Sequence, residues 1–188
     1  MDYKLYKKSR DLSWKIILQE GIEELPVNVS ALCRNMGIDV RLYEPTDQNS
    51  GYSILVPEGA IIYVSRLESV RRQRFTAAHE LGHILNGDLG KYKLVNRGEP
   101  SPDDNPIEQA ANVFASRLLA PACVLWGVGV QSAKEISELC DISMPAAEFR
   151  WERMKELYQR DKFLTSPLER DVFERFKDFI EKNRLNQG

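Results

Sequence analysis

The chain's only two histidines lie four residues apart, in the run His79-Glu80-Leu81-Gly82-His83. On an α-helix that spacing puts both imidazoles on one face, where two nitrogens can reach the same tetrahedral metal ion. Zinc held by three protein groups and one water lowers the pKa of that water toward about 7. A carboxylate beside it can accept the water's proton and pass it to a leaving amine. Glu80, between the histidines, is placed for that role as general base. The pattern therefore points to metal-assisted hydrolysis.

Such a site needs a third ligand. A longer zinc pattern would put glycine at position 86 and a ligand at 89, where this chain has Asn86 and Leu89. Asp88 is one alternative, and Glu108 is the better placed. With Ala111, Asn112 and Ala115 at i+3, i+4 and i+7, Glu108 forms a small-residue helix face that can approach the histidine helix. A competing reading makes Glu108 the acid of a capping box begun at Asn105. Asn112 is the expected outer partner of a ligand histidine, fixing its tautomer. The oxyanion would be held by zinc plus a donor such as Tyr63, Tyr52, Tyr92 or an arginine, with Tyr63 as the first choice against a competing reading as a strand residue packing beside the core.

These side chains need a helix pair and a sheet to hold them. Residues 2 to 20 and 28 to 36 read as helices, the second ending at Gly37. IDVRLY, YSILV and AIIYV are short runs rich in β-branched and aromatic residues, with Pro57-Glu58-Gly59 as a turn. They predict a three-stranded antiparallel meander over 38 to 64. The metal helix should run from Ser69 to Asn86-Gly87, and interior Gly82 suggests close packing by another element. Residues 88 to 105 have loop composition and read as a substrate-facing flap. A helix then starts at Pro106 and stops before Pro121. Residues 131 to 184 read as entirely helical, with a cap at Ser166.

The expected fold is thus α+β: a small three-stranded antiparallel sheet packed against the histidine helix and a second ligand helix, with an all-helical C-terminal extension. Residues 1–128 form the expected zincin-like domain and 129–188 the extension. The stretch around Ser143 is reminiscent of a helix-turn-helix. Over residues 131 to 188 acidic and basic groups nearly balance, which favours helix packing or partner docking over DNA binding.

A formal net charge of -2 argues against nucleic-acid binding through a large basic surface. Arg71, Arg72 and Arg74 read as a solvated helix face. Cys33, Cys123 and Cys140 form no CxxC pair and read as reduced, buried small hydrophobes. The first residues lack the apolar core and cleavage site of a secretory signal, so a cytoplasmic protein is expected. No uninterrupted apolar run reaches the roughly 18 residues of a membrane span.

RFTAAHELGHILNGD followed by Glu108, Ala111, Asn112, Phe114, Ala115, Leu118, Leu119 and Pro121 resembles the ImmA/IrrE family of metallo-endopeptidases. The likeness is strong over residues 60 to 121 and general elsewhere. Many members carry a second acid where this chain has Ala110. The resemblance implies a gluzincin-like fold, zinc on His79, His83 and Glu108, and Glu80 as the base. It also implies a protein substrate: a helix-turn-helix repressor, as encoded beside such proteins in mobile elements or stress operons. A zinc-binding sensor or regulator with little hydrolysis is the alternative, and an intact Glu80 favours the enzyme.

Overall fold

The computed structural model describes residues 3–46, 49–89 and 105–184. The chain folds as two compact units, one of residues 1–10 and 28–115, the other of 11–27 and 116–188. Helix α1, Tyr3–Gln19, contributes to both.

In the first unit, α2 (Val29–Asn35) leads into β1 (Ile38–Tyr43), followed by β2 (Gly51–Val56) and β3 (Gly59–Ser65). Asn28 caps α2 by accepting from the amide of Ala31 at 3.0 Å. The hairpin turn is as the sequence predicts, with Val56 opposite Gly59 across Pro57-Glu58. The meander is not. The strand order is β1-β3-β2, and β1 pairs with β3 in parallel, so the sheet is mixed rather than antiparallel.

The reason lies in β3, where Ala60, Ile61, Ile62 and Val64 are all buried. A strand apolar on both faces belongs in the middle of a sheet. β1 and β2 keep exposed positions such as Leu42 and Leu55 and take the edges. A parallel partner needs a crossover of about a dozen residues or more. The stretch from 44 to 58, which includes β2, supplies it.

Helix α3, Val70–Asn86, begins at Ser69, whose hydroxyl accepts from the amide of Arg72, and ends at Gly87 with φ 73°. Every residue from Thr76 to His83 is buried. Two successive turns without an exposed face make this helix the centre of its unit, and the sheet covers one side of it through β2 and β3. The approach is closest at Gly51. A Cβ there would lie 2.4 Å from Thr76 Cγ2 and 2.7 Å from the carbonyl oxygen of Tyr63.

Helix α4, Pro106–Leu119, starts with proline at its first position, and Asn105 accepts from the amide of Ile107 at 2.9 Å. With α5 (Ala122–Val128) it forms the apolar stretch Pro106–Val128, which meets a membrane span by length and mean hydropathy. Glu108, Asn112 and Arg117 interrupt it, and 72% of its most apolar window is buried inside the protein, as in a core helix.

In the second unit, α5 packs on α8 (Pro167–Arg175) and α9 (Lys177–Asn183), while α6 (Ala133–Cys140) packs on α7 (Met144–Arg160). Leu125, Ile136, Met154, Val172, Phe176 and Ile180 form the core. Arg150 is buried among them, its Nε donating to the carbonyl of Ala120 at 2.8 Å. Ser166 caps α8 through the amide of Glu169. The three cysteines are buried and free, and burial pushes each thiol up to about 12.

Gly51→Ala should lower the urea midpoint of unfolding, because a new Cβ meets backbone on one side and a packed threonine on the other. The expected cost is about 1–3 kcal/mol. An unchanged midpoint would show that the sheet does not need this close approach.

Candidate metal centre

Helix α3 projects His79 and His83 side by side, their Nε2 atoms 3.0 Å apart and their rings nearly perpendicular. Glu108, in the first turn of α4, reaches both: Oε2 lies 3.2 Å from His79 Nε2 and Oε1 lies 3.4 Å from His83 Nε2. The two helices come this close because their facing residues are small. A Cβ on Gly82 would sit 3.1 Å from Phe114 Cδ1 and 3.3 Å from Ala111 Cα. The glycine and the alanine thus share one function, which is to let two backbones approach.

The far side of each imidazole is also held. His79 Nδ1 lies 2.9 Å from Asn112 Oδ1, and His83 Nδ1 lies 3.3 Å from Asp88 Oδ2. Both oxygens only accept, so a proton on Nδ1 satisfies each contact, and a neutral ring in that tautomer presents a lone pair at Nε2 to a metal. Two lone pairs and a carboxylate then face one point.

Charge tells the same story. Without a metal, rings that carry a proton on Nε2 donate to Glu108, and these hydrogen bonds from His79 and His83 outweigh burial and hold its carboxyl well below the usual carboxylate range. Burial pulls His83 down, but the hydrogen bond and charge of Glu108, the charge of Glu80 and the bond to Asp88 outweigh it and raise its pKa. The cluster favours a positive charge at its centre.

The three ligand atoms of His79, His83 and Glu108 lie within 4.8 Å of one another. Metal–ligand bonds of about 2.0–2.1 Å at tetrahedral angles place neighbouring ligand atoms about 3.3 Å apart. The separations of 3.0, 3.2 and 3.4 Å match those edges. The residues present therefore fit a zinc-type ion with one open position.

Glu80 is buried on α3, and its Oε2 accepts from the hydroxyl of Ser53 on β2 at 2.8 Å. Sequence reasoning missed Ser53. The available signal was Gly51-Tyr52-Ser53, where small residues alternate on one face of a strand. Asp88 was weighed as a ligand, and the structure puts it behind His83 instead. The capping-box reading of Glu108 gives way as well, since its carboxylate turns to the histidines while Asn105 bonds Ile107.

Tyr63 is not brought to the cluster. It stacks on Tyr52 with ring centroids 4.9 Å apart, and Tyr43 packs edge-on against both. Strand alternation places these tyrosines on the face of the sheet opposite Ser53. Tyr92 and most of the loop read as a flap lie outside the described residues. Of the arginines before the motif, Arg72 lies over the Phe75 ring at 5.9 Å.

The Peptidase_M78 family model, described as the IrrE N-terminal-like domain, matches residues 33–152, a span that holds every residue of the cluster. No curated protein matches the chain. Among solved structures, a Mycobacterium tuberculosis transcriptional regulator aligns with a TM-score of 0.52 at 15% identity. The alignment covers 90% of this chain and 59% of that one, so this chain spans about three fifths of that protein's length. At such identity the likeness is one of fold.

Asn112→Ala and Asp88→Ala should each weaken zinc binding by about 10- to 100-fold, since each frees a ring to turn and to change tautomer. Competition against a chromogenic chelator measures this. Wild-type affinity in both variants would mean that the rings are held by packing alone.

Proposed function

The chain belongs to the Peptidase_M78 family of IrrE N-terminal-like domains, and on that premise we propose that it is a zinc-dependent endopeptidase acting on a protein partner. The observation that carries this reading is the convergence of His79, His83 and Glu108 on one point, with Glu80 in the helix turn between the two histidines. A zinc ion held there would supply Lewis acidity, polarising the scissile carbonyl and acidifying a water.

The rest falls to the chain's own residues. Glu80 takes the proton from the attacking water as the C–O bond forms. It then delivers that proton to the amide nitrogen as the C–N bond breaks, so the carboxylate is regenerated each cycle. Asn112 and Asp88 hold the two rings through their Nδ1 atoms. Burial of Thr76 to His83 limits access of bulk water, which strengthens each of these contacts.

The substrate we propose is a helix-turn-helix repressor, on the strength of the family resemblance. A zinc-dependent regulator is the rival reading. The retained Glu80 favours hydrolysis, because a module that only binds has no use for a base beside the metal.

Glu80→Gln separates the two. It keeps both imidazoles and the side chain's size, so zinc content should match wild type while cleavage of a helix-turn-helix repressor substrate falls by at least about 100-fold. His83→Ala should lose metal and cleavage together. Fragments are mapped by mass spectrometry. Equal cleavage by Glu80→Gln and wild type would remove Glu80 from the mechanism, and zinc-loaded wild type that cuts no partner would favour the regulator.

A further inference from the structure

Two contacts join β2 to α3 in matching register. Gly51 lies against Thr76, and two residues later the Ser53 hydroxyl donates to Glu80, four residues after Thr76. Two strand residues advance about 6.7 Å and four helical residues about 6 Å, so one local alignment satisfies both. Gly51 is the condition for the second contact. Its missing side chain lets the strand sit close enough for a side chain as short as serine to span the gap.

Glu80 is 3% exposed. A carboxylate so removed from water needs hydrogen-bond donors, and its terminal torsion is broad, so nothing intrinsic to glutamate fixes the plane of its oxygens. Ser53 Oγ, at 2.8 Å from Oε2, supplies one such donor, and does so from a separate element. We infer that Ser53 is a positioning residue for the general base: its hydroxyl anchors Oε2 and so helps to fix the orientation of the carboxylate. The inference rests on the reading of Glu80 as the base.

Ser53→Thr and Ser53→Val test it as a pair of equal shape that differs in the hydroxyl alone, alongside Ser53→Ala, Glu80→Gln and the double variant Ser53→Val with Glu80→Gln. All are loaded with zinc, checked for equal metal content, and titrated with acetohydroxamic acid. That probe binds a catalytic zinc as its anion, its O–H bond breaking and the proton passing to the neighbouring base. Glu80→Gln, Ser53→Val and Ser53→Ala should each bind the probe more weakly by on the order of tenfold or more, the scale of one hydrogen bond to a charged group. Ser53→Thr should stay near wild type, and the double variant should bind no more weakly than Glu80→Gln alone.

Wild-type binding by Glu80→Gln would overturn the role of Glu80 itself. With Glu80→Gln weakened, three results would overturn the role of Ser53: wild-type binding by Ser53→Val, equal weakening in the threonine and valine variants, or a further independent loss in the double variant.

Discussion

Two imidazole Nε2 atoms lie 3.0 Å apart, and with both rings neutral and their protons on Nδ1 beside Asn112 and Asp88, two lone pairs face one another. That arrangement is repulsive unless positive charge lies between them. Glu108 adds a carboxylate to the same point and deepens the demand. Much of the first unit follows from meeting it. Small residues at Gly82 and Ala111 admit the ligand helix, and acceptors at Asn112 and Asp88 fix the rings.

Such a cluster is costly to assemble. Buried polar groups lose water and must recover hydrogen bonds inside the protein. The fold answers with apolar and small residues at this point, Ala77, Ala78 and Leu81 on α3 itself and Ile62 and Phe114 on neighbouring elements, all of them buried. A cation at the centre would turn the remaining repulsion into attraction, which couples metal binding to the stability of this unit. The same enclosure keeps the Glu80 carboxylate away from bulk water. Folding and chemistry here draw on one set of contacts.

The parts of this arrangement that local rules govern were legible in the sequence. Histidines four apart on a helix, proline at the start of α4, glycine at the end of α3, and an acid and an amide four residues apart each follow from the geometry of a single element. What failed was pairing between elements. β1 and β3 are parallel because the most apolar strand takes the centre, and that ranking concerns the whole sheet rather than any one run. Tyrosine chemistry makes Tyr63 a candidate oxyanion donor and strand composition makes it a packing residue, and the register decides for packing, with Tyr63 on the far face beside Tyr43 and Tyr52. Ser53 was passed over for a related reason: a serine in a strand carries no signal until one knows what lies across from it.

Anomalous diffraction at the zinc absorption edge, from crystals of the purified chain supplied with zinc, tests the central claim most directly. The account predicts one anomalous peak per chain, about 2.0–2.2 Å from His79 Nε2, His83 Nε2 and a carboxylate oxygen of Glu108. A zinc peak held elsewhere, or full zinc occupancy with Glu108 turned away from both imidazoles, would contradict it.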